Sequence, residues 1–380
     1  MPQPRAVFLF TDSSGFGGAE KALLTLIRGL DRERWSPTLV FHTSPGIERL
    51  VERAAAASCQ LIPVAPMPEG LGGARRAVRF AAMLARRRPH VFHAHLTWPL
   101  ACKFGLAAAA AARVPAIVGT HQLVPPFRLA RRARLQQQIL GSRVGRWIAV
   151  SEDVAENLHA LFGWSREKIA VVHNGIPLAP QRDLLDPNLR TQLLDGQRAI
   201  VLVPARLDPL KGHEFLFEAV ARGLPEVRVV LAGDGRERKE LESLASRLGI
   251  ASRVTFLGFR DDLPVLMACA DVVVLPSLAE GLPLAVLEAM ALGAPLVATA
   301  IGGTDEAIAD EVTGLLVPPR DSAALGAAVE RVLTDPGDAA RRAEAARDRV
   351  AAEFSADRMV ERTQSVYEEL LASAGQRARA

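Results

Sequence analysis

The sequence is short of several things, and each shortage narrows what the chain can be. Cysteine occurs only at Cys59, Cys102 and Cys269 in 380 residues. The three lie far apart in apolar, helix-like surroundings with no zinc-ligand spacing. Neither a disulfide framework nor a structural zinc site is expected, and a reducing, cytoplasmic setting is. A single tyrosine and 5% aromatic content leave no platform on which bases could stack, which argues against nucleic acid as a partner. No apolar run approaches the roughly 20 residues of a membrane helix. The N-terminus offers one arginine and then the strand-like "AVFLF", too short and too poorly flanked for a signal peptide. Lysine is confined to positions 21, 103, 168, 211 and 239, so the formal charge of +4 rests almost wholly on arginine.

What remains is 49% hydrophobic and 23% charged, the balance of a soluble globular protein, at a length that favours two domains over one. Short apolar runs at 6–10, 37–41, 116–120 and 146–151 alternate with Ala/Leu/Arg stretches at helical period. That alternation predicts a parallel sheet covered by helices on both faces. Residues 174–198 hold three prolines and little strand pattern, and read as a linker. The same grammar then restarts with near-continuous apolar runs at 199–205, 227–233, 254–259, 270–277, 294–299 and 314–319, as buried parallel strands require. A last helical segment, about 357–373, has no strand after it. The expected architecture is α/β with two Rossmann-like, doubly wound domains facing a central cleft. Their expected bounds are 1–175, a linker 176–198, and 199–356. Ligands in such sheets bind beyond the carboxyl ends of the strands, so motifs are sought in the loops there.

Three loops stand out. "LPSLAEGLPLAVLEAMALG" (275–293) reads as strand, loop and helix, with Pro283 at the first helical position and acids at Glu280 and Glu288. Amides around Gly281, Leu282 and Leu284, at the positive end of the helix dipole, suit a phosphate. The two carboxylates suit sugar hydroxyls. "PARLDPLKGHEFLFEA" (204–219) sets Arg206 and Lys211 just past a strand, where two cations could clamp a diphosphate. "TDSSGFGGAEK" (11–21) has Gly15, Gly17 and Gly18 before a helix but is not the dinucleotide fingerprint, since Glu20 stands where its last glycine belongs. "LAGDGRE" (231–237) holds only a Gly-x-Gly, read as a tight turn that can also line a nucleotide. His93 and His95 share one face of a strand and read as structural. His121 ends another strand and is the better candidate for touching a substrate. No acid stands at a distance that would complete a zinc site. Arginine crowds 75–88 and 128–143, which suits solvated helix faces, an acidic acceptor or the surface of an anionic membrane.

Taken together, "EGLPLAVLEA" resembles the E-x7-E motif of the retaining glycosyltransferase family 4, whose fold is GT-B. "GGAEK", "VSEDVAENL", "VVHNGI", "ARLDPLKG", "LAGDG", "VTFLG" and "GTDEAIADEVTGLLVPPRD" are similar to the family's successive blocks in order along nearly the whole chain. "GTDEAI" departs from the usual pattern by carrying Thr304 and Asp305 where proline is common. The resemblance implies that Glu280 binds donor-sugar hydroxyls and Glu288 the ribose of a nucleoside-diphosphate sugar, UDP- or GDP-linked. It implies that Arg206 and Lys211 hold the diphosphate and that Gly17 and Gly18 approach it. Gly258 and Phe259 would run beside the base, Gly281 and Leu282 beside the donor, and His121 near the reacting centre. It also implies that the closing helix, about 357–380, packs back on the first domain. No cofactor or metal is implied; the acceptor is a sugar, a lipid-linked precursor or a small molecule. A sugar-nucleotide 2-epimerase and a non-catalytic nucleotide-binding protein are the alternatives on the same fold.

Overall fold

The computed structural model describes residues 3–68, 70–123, 129–178 and 184–379. Arg128, residues 179–183 and Ala380, which belong to segments singled out above, lie outside the described residues. The chain forms two compact units, Met1–Pro177 with Ala356–Ala380, and Leu178–Ser355.

The first unit opens with β1 (Arg5–Thr11), α1 (Gly18–Gly29), β2 (Trp35–His42), α2 (Glu48–Ala56), β3 (Gln60–Val64) and α3 (Leu71–Arg87). It continues through β4 (Val91–Leu96), α4 (Lys103–Ala111), β5 (Ala116–His121), α5 (Arg131–Arg143), β6 (Arg146–Ala149), α6 (Glu152–Phe162) and β7 (Ile169–Val171). All seven strands pair in parallel, in the order β3-β2-β1-β4-β5-β6-β7. β3 contains Pro63, which an edge strand tolerates because one side of its ladder is unpaired. Right-handed crossovers put α1 and α2 on one face, and α3, α4, α5 and α6 on the other.

The second unit holds α7 (Pro187–Leu194), β8 (Ala199–Val203), α8 (His213–Gly223), β9 (Val227–Ala232), α9 (Arg238–Arg247), β10 (Val254–Gly258) and α10 (Leu263–Cys269). β11 (Val272–Leu275), α11 (Leu284–Leu292), β12 (Leu296–Thr299), α12 (Thr304–Ala307), β13 (Leu315–Val317), α13 (Ser322–Thr334) and α14 (Pro336–Glu353) follow. Its parallel sheet runs β10-β9-β8-β11-β12-β13, with valine and leucine buried on both faces. α7 lies within the stretch read as a linker. Pro187 occupies its first turn, where a missing N–H does no harm, and the Asp186 carboxylate accepts from the amides of Asn188 and Leu189.

The last helix, α15 (Ala356–Arg379), belongs to the first unit and buries Met359, Val360, Val366 and Tyr367 in that unit's core. Gly29 lets α1 approach it, since a Cβ there would meet a methyl of Val360 at 2.6 Å. Among the described residues, no helix is long and apolar enough to cross a membrane.

Candidate active site

The order of the second sheet reverses between β8 and β11, which are neighbours though three strands apart in chain order. Loops leaving such a pair flank the crevice where open α/β sheets take ligands. The β8 loop carries Arg206 and Lys211, and the β11 loop carries Glu280.

Local chemistry fixes both loops. Asp208 Oδ1 accepts from the amide of Leu210 at 3.1 Å and caps one 3-10 turn, Pro209–Lys211. Gly212 follows at φ +60, and a Cβ there would lie 2.1 Å from the carbonyl oxygen of Pro276, so only glycine lets the two loops touch. The amide of Leu278 then donates to the carbonyl of Leu210 at 2.7 Å. Glycines of the next loop serve the same packing. A Cβ at Gly233 or Gly235 would meet the carbonyl of Ala205 at 1.9 Å or of Leu207 at 2.3 Å.

These contacts bring Lys211 Nζ to 2.5 Å from Glu280 Oε1. The same oxygen accepts from Ser277 Oγ at 2.8 Å, and Thr299 Oγ1 donates to the Ser277 carbonyl at 2.6 Å. The Lys211 and Glu280 side chains are 20% and 10% exposed, so the pair is shielded but reachable. Glu280 Oε2 takes no hydrogen bond among the described residues. Arg206 is exposed in the same loop and has no ion-pair partner among them. His213, first residue of α8, is buried; burial first and then the charge of Lys211 push its pKa down to about 4. It is therefore neutral beside that charge at neutral pH.

Pro283 is the N-cap of α11, one position earlier than its sequence suggests. The amides opening a helix have no intrahelical acceptor, so the Leu284 end of α11 presents donors beside Glu280. The carbonyl of Gly281 accepts from the amide of Gly303 at 2.8 Å, and Leu282 is buried. Glu288 is half-buried on an otherwise apolar helix. Two strands out from β8, Gly258 adopts φ +67 and bridges to Gly233, with Phe259 37% exposed next to it.

The remaining candidates lie in the first unit. Gly17 and Gly18 stand where α1 begins, but the Gly17 amide donates to Glu20 Oε2 at 2.7 Å and is occupied. His121, expected near the reacting centre, ends β5. Its side chain is fully buried, 4.9 Å from the Trp147 ring and 5.8 Å from Trp164. Burial pushes its pKa down to about 3, and neither ring nitrogen has a hydrogen-bond partner among the described residues. Gly119 makes room for this cluster, because a Cβ there would strike Trp147. His93 is structural in its bonding, contacting Tyr367 Oη at 2.6 Å and Thr120 Oγ1 at 2.7 Å. The His95 ring lies 4.2 Å from it, tilted by 35°. Among the described residues no three His, Cys, Asp or Glu converge as metal ligands.

Sequence reasoning passed over Ser277, Thr299 and Asp208, which hold the pair in place. Ser277 offered a signal, a serine ending an apolar strand three residues before an acid.

Comparison with known proteins agrees with the two-sheet fold. Residues 16–179 match the family described as Glycosyltransferase Family 4, and residues 187–349 match Glycosyl transferases group 1. Glycogen synthase of Mycobacterium tuberculosis is 33% identical over 76% of this chain and 70% of its own length. D-inositol 3-phosphate glycosyltransferase of Salinispora tropica is 32% identical over 78% of this chain and 67% of its own. The solved structure of Anabaena HepE in complex with UDP-glucose superposes with a TM-score of 0.84 at 25% identity, covering 97% of this chain and 99% of that one. Two parallel sheets with flanking helices, an ordered set of motifs and matches to both halves lead to one conclusion: the chain is a GT-B glycosyltransferase and belongs to glycosyltransferase family 4.

Proposed function

We propose that the protein transfers a hexose-type sugar from a nucleoside-diphosphate sugar to an acceptor hydroxyl, with retention of anomeric configuration and without a metal. The observation that carries this reading is the shielded Lys211–Glu280 pair, held by Ser277 beside the opening of α11. The donor class is supported by the HepE complex with UDP-glucose.

The barrier lies in breaking the bond between the anomeric carbon and the diphosphate oxygen, as negative charge grows on the leaving group. Lys211, Arg206 and the first amides of α11 stabilise that charge in the role a divalent cation would otherwise take. Glu280 spends one oxygen on Lys211 and Ser277, which leaves the other for a hydroxyl of the sugar. Glu288 takes a ribose hydroxyl, and Gly258 and Phe259 lie beside the base. The leaving phosphate oxygen accepts the acceptor's proton as the new bond forms on the face it vacates, which gives retention without a protein nucleophile. Three buried, free cysteines support a cytoplasmic setting. The acceptor belongs to cell-surface polysaccharide, glycolipid or related glycoconjugate synthesis, a class in which arginine-rich surfaces meet anionic precursors.

The test is nucleotide release from a panel of UDP- and GDP-sugars, with and without saccharide and lipid-linked acceptors, in excess EDTA. Transfer with an α-linked product from an α-linked donor, lowered by two or more orders of magnitude in Glu280→Gln with the fold intact, is the expected result. An epimerised donor without transfer would assign the chain to a 2-epimerase instead. Full activity in Glu280→Gln would remove that carboxylate from the site.

A further inference from the structure

From Gly70 through Ser151 the sequence contains no aspartate or glutamate, against fourteen arginines and lysines. All 42 acidic residues of the chain lie outside this span, so the remainder is net acidic. Charge is therefore segregated in a way that the overall +4 hides. The span builds α3, α4 and α5, with α4 packed against both of its neighbours on one face of the first sheet.

The outer sides of α3 and α5 combine that charge with apolar groups. α3 buries Gly73, Ala77, Phe80 and Leu84, which turns Leu71, Arg75, Val78, Arg79 and Arg86 outward. On α5, Arg131, Leu135, Ile139 and Arg143 recur every four residues and are all exposed. Exposures are 81% for Leu71, 70% for Val78, 56% for Leu135 and 63% for Ile139. They make up half of the eight exposed large apolar side chains among the described residues. None of Arg75, Arg79, Arg86, Arg131 and Arg143 makes an ion pair among those residues. A shallow hollow along α3 has Ala82 and Met83 as its floor and Arg79, Arg86 and Arg87 around it.

A solvated helix face has no need of bare leucine and isoleucine between arginines, and a purely electrostatic site for a soluble polyanion has none either. Basic helices whose arginines flank exposed apolar side chains suit an interface where phosphates lie above hydrocarbon. We propose that the outer surface of α3 and α5 docks on an anionic lipid bilayer. Leu71, Val78, Leu135 and Ile139 enter the headgroup boundary, and the arginines hold lipid phosphates. This reading stands independently of the donor chemistry.

The experiment is co-sedimentation of the full chain with phosphatidylcholine vesicles, with and without phosphatidylglycerol, alongside binding to soluble dextran sulfate. Binding to the anionic vesicles alone, weakened by salt, is expected. Arg75→Gln with Arg79→Gln and Arg86→Gln should lower the partition coefficient by roughly a hundredfold, about fivefold per arginine. Leu71→Ser with Val78→Ser should lower it by at least about tenfold while leaving dextran sulfate binding and the melting temperature unchanged. The proposal is overturned if the anionic vesicles do not retain the protein. It is equally overturned if the Leu71→Ser, Val78→Ser variant binds them as well as the parent does, since that marks a purely electrostatic surface.

Discussion

At Glu280 one carboxylate oxygen accepts from both Lys211 and Ser277, and the geometry of the candidate site follows from that sharing. Hydrogen bonds to a charged group contribute about 1.5–3 kcal/mol, more than a neutral pair, so the acid is held in one orientation before any ligand arrives. Ser277→Ala should leave the carboxylate present but less fixed. The expected outcome is a roughly tenfold or greater loss in kcat/KM for the donor, with a melting temperature close to that of the parent; unchanged kinetics would show that Ser277 does not position Glu280. Both residues were legible in the sequence as candidates, though not as partners of each other. Lys211 is one of five lysines and stands in a loop after a strand, and Glu280 is an acid among small and apolar residues. Ser277 was not legible as a partner, because a serine at the end of an apolar run reads as the strand's end. The burial of His121 was not legible either. Which face of β5 meets an aromatic cluster depends on Trp147 and Trp164, and Trp164 follows a helix 43 positions further along the chain.

Elements with a strong period could be read directly, while those defined by tertiary partners could not. The apolar runs became strands within a few residues of their expected bounds, since a strand buried on both faces has no polar position to obscure it. β3 and β7 escaped because both are edge strands of the first sheet, short and only partly buried. α7 escaped because its prolines read as breakers, although Pro187 sits where proline favours a helix. The pairing of β4 with β5 and α15 carries a consequence in pH. His93 lies between Tyr367 and Thr120, with the His95 ring tilted against it, and burial holds both histidines below their ordinary range, His95 at about 3. A folded-state pKa below the unfolded value of 6.5 means that the unfolded chain binds the proton more readily. Stability from these groups is complete above pH 6.5 and falls as the pH drops towards 3. One such histidine is worth about 2 kcal/mol between pH 6.5 and about 5. Thermal melts across that range should show a steady fall in Tm that is shallower in His95→Gln; a pH-independent Tm would contradict the burial of these rings.

On the scale of the whole molecule, the same topology occurs twice. In both sheets the order reverses after the third strand of the unit, and the first loop at each reversal is the one rich in glycine or cations. The sequence showed this repetition because both halves restart the strand–helix alternation. It showed the return of the last helix less directly, since only the absence of a following strand hinted at it, whereas α15 supplies Tyr367 and Val360 to the first core. The proposed chemistry rests on the second reversal, where Lys211 and Glu280 pair. The most direct test is calorimetric titration of UDP and GDP into the parent and Lys211→Ala. The account predicts that the nucleotide bound by the parent loses roughly tenfold to 150-fold in affinity in the variant, the equivalent of about 1.5–3 kcal/mol, at an unchanged melting temperature. Equal affinity in the two proteins would contradict it.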